Sequence, residues 1–579
     1  MLTLGINAAF HDPAACIVRD GKVLAAAEEE RFTHVKHGKR PVPFTAYELP
    51  FHAIDFCLKV AGATLNDVDR FGYSYDPSLF LEPALQEGLS LPLEPNCFPT
   101  PPGLDSPWDP LFLSYVLNAP RMLVDGVPHH LEKRWRGASI PDKQWQFLDH
   151  HLCHAVSAFH VSPFERAAVM TLDGRAERAT TTYNVGNGQS LDRIGEVSMP
   201  HSLGMLYETV TEYLGFLRSS DEYKVMALAS FGKPAYMKEF REIVQLSGGG
   251  SYAIHPLRLE ERLGPRRLRG EAVEQRHLDI AHSLQQVLEE TGVELVRWLA
   301  KETGEENFCF AGGVALNCVL NSRLRDSKAF KKLWVQPASG DAGTALGAAV
   351  WLDAMEQKTA ARPFRMDHAF LGPAFDEKEI ESFLRWSKLS YRRTTSLADE
   401  AAALLAEGRV IGWFQRGMEF GPRALGGRSI LASPIPEDMQ ARLNEIKDRE
   451  DFRPVAPVVL EDDAHEWFEE AHEAPFMLFI FKVREEKAAQ IPAVRHVDGT
   501  ARVQTIRRDQ NAEYYELLQA FKRRTGVGVL VNTSFNTRGE PVVCTPRDAI
   551  ESFLTSPLDA LVIGPFILEK AAIIIPSAA

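Results

Sequence analysis

Short apolar runs alternate with polar turns at two places in the N-terminal part of the chain. Residues 1–31 contain three such runs, broken first at His11-Asp12 and then at the tight turn Asp20-Gly21. Because β-forming residues flank each break, the pattern predicts strand, turn, strand, turn, strand. The pattern returns over 167–200, with its first turn at Asp173-Gly174. Two such units, each followed by helical sequence, favour a duplicated α/β architecture, with unrelated hairpins as the alternative.

The first turn of each unit is the place where ligand-facing residues are expected. In a duplicated fold of this kind, that turn points into the cleft between the halves, so its polar side chains can face a ligand instead of the core. His11, Asp12 and Asp173 fall in these turns.

The rest of the N-terminal sequence shows helical spacing and turns made of small residues. Apolar residues at helical spacing predict helices ending near Gly62, over 202–216 and over 278–302. An apolar strand at 307–311 breaks at Gly312-Gly313 before a helix, and such a glycine pair lets backbone N–H groups approach a nucleotide at the helix N-terminus. Asp221 and Lys224 precede a further apolar run, which is compatible with a ligand loop and equally with a solvated turn.

Two stretches lack periodicity. Residues 80–145 are rich in Pro and Trp and are interpreted as an insertion near the cleft. Residues 355–375 have neither helical nor strand spacing, so a domain boundary is predicted there. The predicted domains are 1–358, containing the insertion, and 374–579, and the length of 579 residues suits two large domains.

Composition narrows the class of protein. The formal charge of −14 argues against a surface that coats nucleic acid, which needs a basic face. The seven cysteines are scattered and form no CxxC pair, which argues against a disulfide framework or zinc ribbon. The N-terminus has no basic region before its apolar run, and no apolar segment is long enough to span a membrane, so a cytoplasmic location is expected.

The segment DHHLCHAVSAF at 149–159 suggests a metal site. On a helix, His150 and His154 project about 40° apart and can bind one ion, whereas Cys153 points away. Two histidines fill only half of a metal shell. Asp173 and Asp341, each in a turn after an apolar strand, are the best candidates to complete it. The alternative is a half-buried histidine pair with hydrogen-bond partners.

The C-terminal part carries three polar segments of possible chemical interest. Arg423 and Arg428 flank glycines, which is typical of a pocket for a small anion. The run 442–457 mixes basic and acidic residues, and a salt-bridged surface helix is its simplest interpretation. An apolar strand then enters a polar turn that offers hydrogen-bond donors to phosphate or amide groups, at Asn532, Ser534, Asn536 and Arg538.

Ten short motifs occur in order along the chain: GINAAFHD, AEEERFTHVKHG, DHHLCHA, LDG, DEYKVM, AGGVALN, SGDAGTALGAA, FGPRALGGRS, KDREDFRP and NTSFNTRGEP. In this order they resemble the family of nodulation-factor and antibiotic O-carbamoyltransferases. The resemblance implies an actin-like, Kae1-type N-terminal domain joined to a YrdC-like C-terminal domain. It also implies two steps: carbamoyl phosphate and ATP, with Mg(II), form carbamoyl-adenylate, and the carbamoyl group then passes to an acceptor hydroxyl.

The resemblance also implies roles for individual residues. His150, His154, Asp173 and Asp341 would bind one divalent metal ion, Fe(II) in first place. His11 would be the general base, oriented by Asp12 or Asp221. Nucleotide contacts would come from Lys36, Gly312, Gly313, Asn317 and Asn321. Carbamoyl phosphate and the ATP phosphates would be held by Arg423, Lys447, Arg453, Asn532, Ser534 and Arg538. For Lys447 and Arg453, this role replaces the surface-helix interpretation. The roles of Arg428 and Arg449 stay undecided.

The expected partner is a small-molecule hydroxyl acceptor, without nucleic acid or membrane, and a homodimer is left open. The alternative functions are a threonylcarbamoyl transferase acting on tRNA, a metal-dependent sugar kinase and a non-catalytic nucleotide-binding regulator. The acidic charge and the second domain argue against the first of these.

Overall fold

A computed structural model describes residues 1–38, 49–79, 127–357, 362–537 and 539–570. The chain divides into two compact units, Met1–Met366 (unit 1) and Asp367–Ala579 (unit 2). The division lies inside the stretch 355–375, where the sequence pattern breaks. Within the described residues, none of the helices combines the length and the apolar character that crossing a membrane requires.

Unit 1 begins with a sheet whose central strand is buried along its whole length. Its described strands are β1 (Leu2–Asn7), β2 (Ala14–Arg19), β3 (Lys22–Glu28), β4 (Arg70–Tyr73) and β5 (Trp145–Phe147), in the order β3-β2-β1-β4-β5. The first three strands are antiparallel, and β4 and β5 run parallel to β1. The strand-turn-strand-turn-strand prediction for residues 1–31 is confirmed.

The second sheet of unit 1 repeats this arrangement. Its described strands are β6 (Arg166–Leu172), β7 (Ala179–Asn187), β8 (Ser190–Ser198), β11 (Asn307–Ala311) and β12 (Lys332–Val335), in the order β12-β11-β6-β7-β8. Again three antiparallel strands come first, and the two later strands run parallel to the first. A separate hairpin pairs β9 (Val244–Gly248) with β10 (Ser251–Ile254). The two sheets therefore share one topology.

Helices connect and cover these sheets. Besides the helical residues 77–79 and 127–134, the described part of unit 1 contains α1 (Glu30–Thr33), α2 (Phe51–Ala61), α3 (His150–Phe159), α4 (Leu203–Tyr213), α5 (Glu222–Ala229), α6 (Met237–Ile243), α7 (Leu259–Leu263), α8 (Gln275–Thr303), α9 (Cys318–Asp326) and α10 (Ala342–Gln357).

Helix α10 lies close against both the first sheet and α3. A side chain at Gly5 would meet the carbonyl oxygen of Ala345 at 2.0 Å, and one at Gly347 would meet that of Cys153 at 1.9 Å. Because neither glycine has a Cβ, the backbones approach closely. This packing fixes the N-terminal ends of α3 and α10, from which the candidate site is built.

The predicted insertion at 80–145 is too long at its C-terminal end. Residues 80–126 lie outside the described residues. Residues 127–134 are helical, and Val127, Leu131 and Ile140 are buried in the same core as β1 and β4. Trp145 already belongs to β5. The Pro and Trp content of this stretch hid the apolar positions that join 127–145 to the fold.

Unit 2 is built on a mixed sheet, with nine strands in the described residues. Their order is β13-β21-β20-β14-β15-β19-β16-β18-β17. The strands are β13 (Arg392–Arg393), β14 (Ile411–Phe414), β15 (Arg428–Ala432), β16 (Ala456–Leu460), β17 (Phe479–Lys482), β18 (Thr500–Ile506), β19 (Val529–Ser534), β20 (Ala560–Ile563) and β21 (Phe566–Glu569). The helices are α11 (Glu377–Ser387), α12 (Leu397–Ala406), α13 (Met439–Ile446), α14 (Ala464–Trp467), α15 (Glu485–Ala488), α16 (Ala512–Thr525) and α17 (Pro546–Thr555).

Candidate active site

Four side chains from three parts of unit 1 converge on one point. His150 and His154 come from the first two turns of α3, whose N-terminus is capped by Asp149 through the Leu152 N–H at 2.6 Å. Asp173 directly follows β6, and Asp341 directly precedes α10. All four are buried. We call them the His-Asp cluster.

The distances within the His-Asp cluster suit a shared cation. Asp173 Oδ2 lies 3.6 Å from His150 Nε2 and 3.4 Å from His154 Nε2. Asp341 Oδ1 lies 3.5 Å and 3.7 Å from the same two nitrogens. One ligand atom from each residue lies within 4.8 Å of all the others. Ligands about 2.1 Å from one tetrahedral ion stand about 3.4 Å apart, which is close to these values.

Hydrogen bonding leaves several metal-binding atoms without a partner. His150 Nδ1 donates to the Ser74 carbonyl at 2.9 Å, which leaves Nε2 as the unprotonated nitrogen of the neutral ring. Within the described residues, His150 Nε2, both ring nitrogens of His154 and Asp341 Oδ1 are buried without a hydrogen-bond partner. Buried polar atoms rarely remain unpaired. The residues present therefore fit a divalent metal ion.

The charged groups of the His-Asp cluster shift one another's pKa values. Burial lowers the pKa of His150, but the carboxylates of Asp341 and Asp173 outweigh it and raise that pKa well above its ordinary value. Burial likewise raises the pKa of Asp173, but His150 and His154 hold it well below its usual range. Without a cation, the aspartates therefore favour a proton on His150, and a binding metal ion must displace that proton.

The glycine pair predicted to approach a nucleotide also serves the His-Asp cluster. Gly313 N–H donates to Asp173 Oδ1 at 2.8 Å. Gly312 has φ of 96°, and a side chain there would meet the Leu172 carbonyl oxygen at 2.3 Å. The turn after β11 can therefore pass close to the end of β6 only because both residues lack a side chain.

The neighbouring residues of α3 have structural roles. Within the described residues, His151 lies outside the four-residue metal group; its Nδ1 is 2.6 Å from the Thr171 hydroxyl, and its Nε2 is 3.0 Å from the Ala179 carbonyl. Burial lowers the pKa of His151 to about 3, so the ring stays neutral. Cys153 is fully buried and outside the group as well, as predicted.

His11 lies beside the His-Asp cluster. Its Nε2 is 3.7 Å from Asp341 Oδ2, and its Nδ1 is 3.0 Å from Asp12 Oδ2. Burial raises the pKa of Asp12, but His37 and His11 hold it well below its usual range. An ionised carboxylate only accepts hydrogen bonds, so His11 donates from Nδ1 and its Nε2 faces the cluster. Sequence reasoning left Asp12 and Asp221 as alternatives for this role, and Asp12 is the carboxylate at hydrogen-bond distance.

Asp221 and Lys224 lie neither in a ligand loop nor in a solvated turn. Residues Glu222–Ala229 form α5, and Asp221 is buried at its N-terminus. The Asp221 carboxylate accepts the Leu217 N–H at 3.0 Å and pairs with Lys224 at 3.2 Å. The loop prediction was wrong because a helix begins directly after the acid and includes the apolar residues 225–229.

The remaining nucleotide candidates occupy separate structural positions. Lys36 lies half-buried in the 3₁₀ turn Lys36–Gly38. Asn317 caps α9 by accepting the Leu320 N–H, and its amide donates to Gln285 Oε1 at 2.8 Å. Asn321 is fully buried and donates to the Ala315 carbonyl at 2.8 Å. Their roles toward a nucleotide stay predictions.

Sequence reasoning missed two acids that support this site. Glu177 is buried and accepts the N–H groups of Asp76 at 2.6 Å and of His150 at 3.1 Å. Burial raises its pKa to about 8, with a further contribution from Asp149. Glu208 is buried beside Arg175 and Arg218 at 2.9 Å and 3.1 Å. Glu177 follows Asp173 in the same turn, and that position was the signal available in the sequence.

In unit 2, Lys447 brings two predicted segments together. Lys447 is 5 % exposed and directly follows α13. Its Nζ donates to the Ser534 carbonyl at 2.5 Å and to Asn536 Oδ1 at 2.7 Å. Ser534 Oγ in turn donates to Asn536 Oδ1 at 2.7 Å. The surface-helix interpretation of this run is therefore wrong at Lys447, since the helix ends at Ile446 and the lysine is buried.

Asn532 and Ser534 lie on β19 and not in the turn that follows it. Asn532 is fully buried, and its amide donates to Gln504 Oε1 at 2.7 Å and to the Ala424 carbonyl at 3.0 Å. It thereby joins β19 to β18 and to the loop that carries Arg423. The strand continues further than the apolar residues indicate because Asn532 finds these internal partners.

The arginines of unit 2 differ in burial. Arg428, left undecided above, is fully buried; its guanidinium donates to the Gln415 and Pro373 carbonyls, and burial lowers its pKa to about 10. This arginine holds loops together. Arg423 is half-buried, Arg453 lies 3.6 Å from Glu450, and Arg449 donates to Asn444 Oδ1 at 2.6 Å. Arg538 lies outside the described residues.

Comparison with known proteins identifies the family. Residues 2–80 and 129–350 match the Carbamoyltransferase N-terminus model, and residues 402–570 match the Carbamoyltransferase C-terminus model. Residues 81–128 are thus outside the N-terminal match, whereas 129–145 are inside it, in agreement with the shorter insertion.

Three relatives are similar over most of the chain. Uncharacterized protein sll1178 of Synechocystis sp. is 39% identical, covering 98% of this chain and 97% of that protein. Nodulation protein NolNO of Sinorhizobium fredii is 38% identical, covering 97% and 80%. The 3'-hydroxymethylcephem-O-carbamoyltransferase of Amycolatopsis lactamdurans is 32% identical, covering 73% and 80%. The resemblance seen in the sequence motifs is confirmed, and this chain is an enzyme of the carbamoyltransferase family.

Proposed function

We propose that this enzyme is an ATP-dependent O-carbamoyltransferase that works in two steps. The observation that carries the proposal is the His-Asp cluster, with the His11 imidazole 3.7 Å from Asp341. A buried metal-binding group beside a histidine base suits the transfer of an acyl-type group from an acyl phosphate to a hydroxyl. The shared strand order of the two sheets supports an actin-like, Kae1-type fold for unit 1, and we propose a YrdC-like fold for unit 2.

In the proposed first step, unit 2 forms carbamoyl-adenylate. Carbamoyl phosphate, ATP and water give carbamoyl-adenylate, pyrophosphate and phosphate, with Mg(II) bound to the ATP phosphates. The proposed anion-binding residues are Arg423, Lys447, Arg453, Asn532, Ser534 and Arg538. The support is strongest for Lys447, whose buried ammonium orders the turn after β19.

In the proposed second step, unit 1 transfers the carbamoyl group. The acceptor hydroxyl loses its proton to His11 Nε2, its oxygen bonds to the carbamoyl carbon, and the bond from that carbon to the phosphate oxygen breaks, which releases AMP. His150, His154, Asp173 and Asp341 would hold a divalent ion, with Fe(II) as our proposal. When bound, the ion supplies Lewis-acid polarisation of the phosphate oxygens. Nucleotide contacts from Lys36, Gly312, Gly313, Asn317 and Asn321 belong to this proposal.

We further propose a small-molecule acceptor and a cytoplasmic location. A relative named for a hydroxymethylcephem acceptor supports a natural-product hydroxyl, and a sugar-containing acceptor is the other form of this proposal. The six described cysteines are free and buried, which suits a reducing compartment. The formal charge of −14 supports a partner other than nucleic acid.

The test is an incubation of the enzyme with ATP, Mg(II), carbamoyl phosphate and a pool of hydroxylated metabolites. We expect a product heavier than its acceptor by about 43 Da, one HNCO unit, that requires both ATP and carbamoyl phosphate. AMP and pyrophosphate should accumulate with it. Phosphorylated acceptors instead would contradict the proposal and favour a kinase.

A further inference from the structure

His37 and Glu30 hold the turn that carries His11, and the reaction proposed above does not yet use them. His37 Nδ1 lies 2.8 Å from Asp12 Oδ1, on the opposite carboxylate oxygen from His11. The Asp12 N–H donates to the His37 carbonyl at 3.0 Å. His37 N–H donates to Glu30 Oε2 at 2.7 Å. We call Asp12, His37 and Glu30 the Asp12 brace.

Backbone conformation shows that the Asp12 brace is held under strain. Asp12 has φ of 49° and His37 has φ of 60°, both in the left-handed region that non-glycine residues rarely occupy. Residues in this conformation persist where several surrounding contacts hold the backbone there. Asn7 supplies two more contacts, because its amide donates to the carbonyls of His11 and Asp12 at 3.0 Å each.

The geometry assigns the two imidazoles different tasks on one carboxylate. Because ionised Asp12 only accepts, both Nδ1 atoms donate to it, and each ring is thereby fixed in orientation and tautomer. His11 then presents Nε2 toward Asp341. His37 Nε2 is buried and has no hydrogen-bond partner within the described residues. His37 thus reaches the reacting atoms only through Asp12.

We propose that His37 is a positioning residue: through Asp12 it fixes the His11 ring so that Nε2 can take the proton of the acceptor hydroxyl. This inference rests on the proposed carbamoyl transfer. The same three residues could hold a cation by distance alone. Their oxygen atoms are, however, already used by the hydrogen bonds above and by the Arg31–Glu30 ion pair at 2.9 Å. We therefore assign the group as a brace.

The kinetic test compares three substitutions of His37. For His37→Ala we expect kcat for carbamoyl transfer to fall about 10- to 100-fold, since misplacing a catalytic group costs rates of this order. The acceptor KM and carbamoyl-phosphate-dependent pyrophosphate release should stay within about 2-fold, because this inference gives the ring no direct contact with either substrate. His37→Asn places an amide N–H where Nδ1 stands and should restore most of kcat, whereas His37→Gln should not. His34→Ala, an exposed histidine of the same segment, is the matched control.

A structural readout separates this inference from the proposed function. Crystal structures of the wild-type and His37→Ala proteins should show the Asp12 and His11 side chains displaced in the variant, with the same metal content. If both side chains keep their places, or if the variant loses one equivalent of metal, the inference is overturned even where no transfer is detected. An active wild type with an unaffected His37→Ala variant overturns it as well. An inactive wild type with displaced side chains refutes the transfer chemistry and leaves the brace standing.

Discussion

In the first half of unit 1 the turn between the first two strands carries His11 and Asp12, and in the second half the equivalent turn carries Asp173. The side chains of His11 and Asp12 are 27% and 23% exposed, whereas that of Asp173 is 8% exposed. The more exposed turn, in the first half, presents the hydrogen-bonded imidazole of His11. The less exposed turn, in the second half, presents the Asp173 carboxylate, which faces two buried histidines.

The segments after the fifth strands show the same relation. In the first half, β5 leads to α3 with His150 and His154, and in the second half, β12 leads to Asp341 and α10. A helix after the third strand also supports the first turn in both halves: Glu30 does so through His37, and Glu208 through Arg175. One topology therefore brings His11, His150 and His154 of the first half together with Asp173 and Asp341 of the second half around one point.

The largest effect is expected from substituting a metal-binding residue of the first half. For His150→Ala we expect carbamoyl transfer to fall by about 1,000-fold or more, since a catalytic ion is worth several kcal/mol. Carbamoyl-phosphate-dependent ATP cleavage should persist, because we assign it to unit 2. Metal content and both activities are the measurements, with Leu152→Ala, half-buried on the same helix, as the control. Loss of both activities in a folded protein would contradict the division of work between the units.

Glu208, the acid that pairs with Arg175 in the second half, allows a test of how stability depends on pH. Burial raises the pKa of Glu208, but Arg175 and Arg218 outweigh it and hold the pKa at about 2, below the ordinary 4.5. A depressed carboxyl pKa stabilises the fold above pH 4.5, and this contribution is lost as pH falls toward 2. The free energy of unfolding of Glu208→Gln should lie up to about 3 kcal/mol below the wild-type value at neutral pH. The difference should shrink below pH 4.5.

Urea unfolding at about pH 7, 5, 4 and 3 measures this difference. Glu212→Gln on the same helix is the control, because the Glu212 side chain is 47% exposed and 3.9 Å from Arg218. A Glu208→Gln deficit that stays constant from neutral to acidic pH would show that Glu208 stabilises the turn without its charge.

Local patterns were enough to predict much of unit 1. The two strand-turn-strand-turn-strand units and the helix ending at Gly62 follow from short-range alternation and turn residues. His150 and His154 follow from helical spacing, and Asp173 and Asp341 from their places after apolar strands. These predictions needed no knowledge of tertiary contacts, because strand, turn and helix signals within short segments define each position.

The rest depended on contacts between distant segments. The burial of Lys447 comes from the turn after β19, 89 residues away along the chain, and nothing in its charge-balanced neighbourhood indicates it. Glu208 and Arg175 meet across 33 residues, and His37 meets Asp12 across 25. Asn532 extends its strand through an amide partner on another strand. A sequence pattern reports local structure, whereas these residues are defined by their partners.

The smallest expected effect isolates a single hydrogen bond in the second half. Gly313 N–H donates to Asp173 Oδ1, and a side chain at Gly313 would meet that oxygen at 2.8 Å. Gly313→Ala should therefore move Asp173 and weaken metal affinity about 10- to 100-fold, the usual effect of altering a group that orients a ligand. Gly340→Ala is the control, because its nearest contact would be Leu316 at 3.8 Å. Equal metal affinity in the two variants would mean that Asp173 is positioned by its own turn and not by the glycine pair across the sheet.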